Sequence, residues 1–308
     1  MTGTHPRGFW HGVLVAQTTP FDHDLNVDRI SVLAHARWLL DQGVHGVVSG
    51  GSLGEGTTLS MDERVALVAE LVGALEGRGP VIAAIAAART SEAVELARRA
   101  SRAGASGLLV LPPYLYRSDP RETLSHFGAV LGATSLPCML YNNPSAYGTD
   151  VLPDQIVALA EEHSVLTGVK ESSGDVRRIT AIRGLLGDRI EIAVGLDDAI
   201  LEGVRAGAVG WVAGLANAFP AASVELFRRA QQGPAEFANE LYTWFLPLLR
   251  MDTTVKFVQE IKLVQAEVGR GSTRVRPPRL PLEGDELATA RQTLRDAIAR
   301  PPPGVLLT

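Results

Sequence analysis

The stretch VLTGVKESSGD, Val165 to Asp175, decides how this chain is read. Val165 to Val169 is a short, β-compatible apolar run, and Glu171 to Asp175 has the polar, glycine-containing character of a loop and helix start. Between them stands Lys170. A lysine at the end of a buried strand is either a solvated strand terminus or a nucleophile held in a pocket, and the choice depends on what surrounds it.

Outward from this unit the pattern repeats. Strands are expected at Gly12–Thr18, Val44–Ser49, Pro80–Ala86, Gly107–Leu111, Pro137–Tyr141, Val165–Lys170, Glu191–Gly195 and Gly210–Ala213, with helix-period segments between them. Ser60-Met61-Asp62-Glu63 is a capping box, and Asp119-Pro120-Arg121-Glu122 offers an N-cap followed by proline at the first helical position. Gly43, Gly104 and Gly187 fall where helices should stop. Strands that are apolar throughout mark a parallel sheet covered by helices. Eight such units fit a closed (β/α)8 TIM barrel, whose active site lies at the strand C-termini. The alternative, an open doubly wound sheet, normally has a glycine-rich phosphate turn after its first strand, and Gln17-Thr18-Thr19-Pro20-Phe21 is not one. After Gly233 the alternation ends. Pro234–Met251, Val255–Val268 and Glu283–Ala299 read as three helices. The expected organisation is therefore a catalytic barrel over 1–232 and a helical domain over 233–308, whose apolar faces cover either the barrel or another subunit.

Composition narrows the function. The 308 residues are 46% hydrophobic and 20% charged, enough apolar material for a large core. A net charge of −5 without a basic block argues against nucleic acid or an anionic membrane as partner. The single cysteine, Cys138, excludes an intramolecular disulfide and reads as a core filler in a reducing compartment. The N-terminal MTGTHPRGFWHGV lacks a signal-like pattern, and no run approaches eighteen unbroken apolar residues, so a cytoplasmic protein is expected.

In a barrel the polar residues at strand ends converge: Gly50-Gly51-Ser52-Leu53-Gly54, Tyr141-Asn142-Asn143 and Lys170. A lysine desolvated there loses its proton more readily, and the neutral amine can attack a carbonyl to give a Schiff base. A tyrosine beside it can relay protons, and a glycine-rich turn presents amides to a carboxylate. Together they describe chemistry on a 2-oxo acid or its imine. Taken singly, Tyr141 could equally be a core aromatic and the glycine turn a tight connection. The histidines (His5, His11, His23, His35, His45, His126 and His163) show no metal-ligand spacing, so no metal is expected. Glu55 reads as a loop anchor. Arg177 and Arg178 read as solvated residues opening a helix, although one of them could come near a distal anion.

These motifs carry a resemblance. Gly51-Ser52-Leu53-Gly54-Glu55, Tyr141-Asn142-Asn143-Pro144 and Gly168-Val169-Lys170-Glu171 resemble the G-[ST]-T-G-E, Y-N-x-P and G-[IV]-K-[ED] motifs of the dihydrodipicolinate synthase / N-acetylneuraminate lyase family, and Gly195-Leu196-Asp197-Asp198 resembles its turn after strand seven. The resemblance extends along essentially the whole chain. It implies that Lys170 is the Schiff-base lysine, Tyr141 the proton relay, and Ser52 with the Ser52 and Leu53 amides the carboxylate nest. Gly51, Leu53, Asn143, Gly195 and Val212 would line the substrate. It further implies no organic cofactor, a small-molecule 2-oxo acid or cyclic imino acid as ligand, and a homotetramer or dimer.

The departures from the family pattern point within it. Ala146 stands where the synthases carry an arginine for the second substrate's carboxylate, Leu53 replaces a threonine, and Leu115 falls where a relay tyrosine is expected, flanked by Tyr114 and Tyr116. With LPPYLYRSD, VKESSGDVRR and GWVAGLANAFP, the chain looks most like the branch of 1-pyrroline-4-hydroxy-2-carboxylate deaminases. That implies release of ammonia and 2-oxoglutarate semialdehyde. Other readings stay open: a dihydrodipicolinate synthase-like or other 2-oxo-acid aldolase or dehydratase, and a catalytically silent barrel that binds a 2-oxo acid.

Overall fold

The computed structural model describes residues 7–113 and 116–303. His5, Tyr114 and Leu115 therefore lie outside the described residues. Eight parallel strands close into one barrel in sequence order: β1 (Gly12–Ala16), β2 (Gly46–Ser49), β3 (Val81–Ile85), β4 (Gly107–Val110), β5 (Cys138–Asn142), β6 (Leu166–Glu171), β7 (Glu191–Val194) and β8 (Gly210–Ala213). Around it run α1 (Arg29–Asp41), α2 (Met61–Leu75), α3 (Thr90–Arg102), α4 (Pro120–Leu131), α5 (Pro144–Tyr147), α6 (Pro153–Glu162), α7 (Arg177–Leu186), α8 (Ile200–Arg205) and α9 (Pro220–Gln232). The chain ends in α10 (Ala235–Leu249), α11 (Phe257–Glu267) and α12 (Gly284–Ile298). This is the (β/α)8 architecture expected from the sequence, with its helical C-terminal extension. No described helix is long and apolar enough to cross a membrane.

Strand side chains alternate between two buried layers, so the strands are apolar without gaps. Leu14, Val48, Ile82, Leu109, Met139 and Val212 fill the barrel interior. Val13, Val47, Val81, Leu108, Cys138, Val169 and Ile192 face the helices. Trp10 closes the bottom, donating from its indole to Thr167 Oγ1 at 2.9 Å. Gly107 and Gly168 make room for it, since an added Cβ would come within 2.9 Å and 2.8 Å of its ring.

Both sequence-read caps form, Ser60 with Glu63 on α2 and Asp119 with Glu122 on α4. Gly43, Gly104 and Gly187 take φ values of +92°, +93° and +55° just past α1, α3 and α7, the left-handed geometry that ends helices. Several element ends shift by one or two residues, as where β2 begins at Gly46 rather than Val44 and α11 at Phe257 rather than Val255. β1 stops at Ala16, because Gln17 turns its amide to Val32 O (2.8 Å) and Thr18 turns its hydroxyl to Gln265 (2.7 Å). The first C-terminal helix stops at Leu249, and residues 250–253 tighten into a 3-10 turn that brings Asp252 to the barrel mouth. The apolar faces of the C-terminal helices cover this chain's own barrel: Leu241, Phe245 and Leu248 of α10 and Val258, Ile261 and Val264 of α11 belong to its core.

Candidate active site

The two residues expected to carry the chemistry are ladder partners. Tyr141 on β5 pairs in register with Lys170 on β6. Alternation along each strand points both inward, in step with Met139 and Gly168. The Lys170 Nζ lies 4.1 Å from the centre of the Tyr141 ring. Gly195, at the end of β7, supplies the space the lysine needs, because a Cβ there would overlap Lys170 Cε. Lys170 is buried, with 7% of its surface exposed. Burial lowers its pKa below the ordinary lysine value, and the charges of Asp252, Tyr147 and Asp197 oppose that shift.

Tyr141 accepts a hydrogen bond from Asn143 Nδ2 at 3.0 Å. Burial pushes its phenol up to about 12, with contacts to Asn143 and Ser52 drawing it partly back and the Asp252 charge adding to the rise. Tyr141 therefore stays protonated near neutral pH and can lend and recover a proton. Asn143 also caps the short α5, accepting from Ala146 N at 3.0 Å. That single turn swings Tyr147 back over the mouth, where its hydroxyl meets Ser52 Oγ and its ring stands edge-on to Tyr141 at 5.7 Å. The turn after β2 carries Ser52, and neither the Ser52 nor the Leu53 amide donates to any described residue. Two amides with no partner among the described residues, beside a hydroxyl, are an arrangement that can receive an anion.

All eight sequence-read site residues meet in one cavity of about 420 Å³: Gly51, Ser52, Leu53, Tyr141, Asn143, Lys170, Gly195 and Val212. Ala146 also lines it. Lys170 is the one cation among its described lining residues. Tyr116 is outside the lining and 56% exposed. No described histidine lines the cavity, and the described residues include no group of three or more His, Cys, Asp or Glu that could hold a metal ion. Arg178 is taken up by a bidentate pair with Asp150 at 2.6 and 2.8 Å, and Arg177 pairs with Asp175. Glu55 anchors its loop through Lys262 of α11.

Sequence reasoning did not place two of the lining residues: Tyr147, which it considered only beside Asn143 or a water as a group that could reach a substrate hydroxyl, and Asp252. Tyr147 brings a hydroxyl from α5 to Ser52, on the side of the cavity where Leu53 stands in place of the family's threonine. The Asn143-Pro144 pair, an N-cap followed by proline, was the available signal for that turn. The other is Asp252, hidden between two helix-reading segments. Asp197 is also buried at the mouth, but it is fully engaged. It accepts from Trp211 Nε1 (2.8 Å), Gly214 N (3.1 Å) and Leu215 N (2.7 Å), and burial still raises it to about 6.

Known proteins share this architecture. The profile of the Dihydrodipicolinate synthetase family matches residues 10–297. A 4-hydroxy-tetrahydrodipicolinate synthase of Methanopyrus kandleri is 34% identical over 291 residues, covering 94% of each chain. Among solved structures, the chloride-inhibited dihydrodipicolinate synthase of Acinetobacter baumannii complexed with pyruvate superposes with a TM-score of 0.89 at 30% identity, over 96% of this chain and 100% of that one. The dihydrodipicolinate synthase of Aquifex aeolicus gives a TM-score of 0.89 at 27% identity, over 93% and 97%.

Proposed function

The chain belongs to the dihydrodipicolinate synthetase family, and from that premise we propose that it is a lyase whose Lys170 forms an imine with a 2-oxo acid or its cyclic imine. The observation that carries this is the desolvated Lys170 amine beside Tyr141, in a cavity that also holds Ser52 and two unengaged amides. The nest binds the substrate carboxylate, the amine attacks the adjacent carbon, and Tyr141 relays protons, with Ser52 and Tyr147 behind it. The lysine imine is itself the electron sink, so neither a metal nor an organic cofactor enters the scheme.

Two reactions can proceed from that imine. The names of the relatives favour synthase-type condensation of pyruvate with an aldehyde partner. The lining favours deamination of 1-pyrroline-4-hydroxy-2-carboxylate, because its described residues offer no guanidinium for a second carboxylate and include Ala146. In that reaction Lys170 attacks the ring C=N and transimination frees the ring nitrogen as an amine. A proton leaves the carbon next to the imine, and the 4-hydroxyl departs as water. Elimination leaves an unsaturated imine with an allylic amine. A proton moved from the amine-bearing carbon to the carbon next to the Lys170 imine gives an enamine, which tautomerises to an imine. One water hydrolyses it to ammonia and an aldehyde, and a second frees Lys170. The net change is substrate plus one water to 2-oxoglutarate semialdehyde plus ammonia.

We read the protein further as a cytoplasmic homotetramer, with the barrel over 1–232 and a helical domain over 233–308. Parallel assays decide between the two reactions. Ammonia released from the cyclic imine, with negligible condensation of pyruvate and aspartate semialdehyde, is the expected result. Robust condensation without ammonia would establish the synthase reading and leave the role of Lys170 intact.

A further inference from the structure

The chemistry proposed for Lys170 and Tyr141 leaves one carboxylate of the cavity without a task. Asp252 lies in the 250–253 turn after α10 and lines the same cavity as Lys170, Ser52 and Asn143. Its side chain rests on the Cα of Gly214, just past β8, where an added Cβ would overlap Asp252 Oδ1. Glycine at 214 is what lets the carboxylate into the mouth.

Asp252 differs from Asp197 in one respect. Asp197 is held by two backbone amides and an indole, whereas no hydrogen bond or ion pair from the described residues reaches the Asp252 carboxylate. The groups that face it are Lys170 from β6, Asp197 and Asp198 after β7, and the phenol of Tyr141 on β5. Lys170 is the only cation among them, and imine formation turns that amine to another use. Burial, with Asp197 adding to it, raises the Asp252 carboxyl well above the usual range, and Lys170 draws it back. Such a group can donate to a hydroxyl as the acid or pair with a cation as the carboxylate. In its carboxylate form it would meet a second substrate carboxylate with like charge.

We propose that Asp252 is a specificity-determining residue: it forms the distal subsite of the cavity, taking a hydroxyl or a nitrogen cation and rejecting substrates with a second carboxylate. The proposal rests on the imine-forming role of Lys170 and deepens it, because ring opening of a cyclic imine delivers an amine to the end of the substrate farthest from the lysine. It gives the cavity a polarity opposite to that of a site built to clamp a dicarboxylate.

The test uses the full chain and three probes at pH 8: pyruvate, 2-oxoglutarate and 1-pyrroline-2-carboxylate. Adducts on Lys170 are trapped with cyanoborohydride and followed by intact mass, with each rate divided by that for pyruvate. Wild type should favour the cyclic imine over 2-oxoglutarate. Asp252→Asn should narrow that ratio by about tenfold or more, the scale expected when a like-charge contact is removed. Asp252→Ser provides the same comparison if the asparagine variant folds poorly. Wild-type adducts with a ratio unchanged in both folded variants would overturn the Asp252 assignment alone. No adduct with any probe would overturn the imine-forming role beneath it.

Discussion

Burial works against the Lys170 ammonium while Asp252 and Asp197 work for it, and burial prevails, so the pKa of the amine falls below the ordinary lysine value. The Tyr141 ring centre lies 4.1 Å from Nζ, and its hydroxyl is held by Asn143. Tyr141→Phe keeps the ring against the lysine and removes only the hydroxyl. It should lower kcat by about 10²–10⁴-fold, the usual worth of a positioned proton carrier, while the borohydride-trapped adduct still forms. Turnover near wild type would make Tyr141 a packing residue. Lys170, Tyr141 and Ser52 were legible because each sits beside a recognisable strand end. Tyr147 and Asp252 were not, since each reaches the mouth through a single turn, α5 or 250–253, whose direction no periodicity records.

The β2 turn and α11 depend on each other. Lys262 of α11 is buried with Glu55, whose backbone is left-handed at φ +54°. Arg276 N also donates to Glu55 Oε2 at 3.0 Å, Lys262 Nζ donates to Arg274 O at 2.6 Å, and the amine lies 4.4 Å from the centre of the Phe21 ring. This cluster holds the turn that presents the Ser52 and Leu53 amides. Lys262→Met would leave a buried carboxylate without its main partner, and should cost about 3–5 kcal/mol in urea unfolding. Adding Glu55→Gln to the same chain should recover much of that loss. Equal losses for the single and double variants would show that the pair does not stabilise the turn. The sequence placed Glu55 as a loop anchor, but its partner lies 207 residues away and only the fold brings the two together.

At the scale of the whole molecule, the repeat of apolar runs and capped helices was enough to give the closed barrel, because each unit obeys its own local rules and closure follows from eight of them. Strand ends were less legible. Gln17 and Thr18 read as strand, yet their side chains are drawn to α1 and α11. The C-terminal helices could have faced a partner subunit, and their fit onto α9 and the barrel emerges only in three dimensions, as in the edge-on contact of Phe219 with Phe245 at 6.0 Å. The consequence of that closure is one mouth where residues from β2, β5, β6 and β7 meet at Lys170. The most direct test of the imine-forming lysine is to incubate the protein with pyruvate and borohydride and map the adduct by peptide mass. A reduced pyruvyl group on the peptide containing Lys170, lost in Lys170→Ala, is the predicted result. An adduct on another lysine, or none with pyruvate or with the cyclic imine, would contradict it.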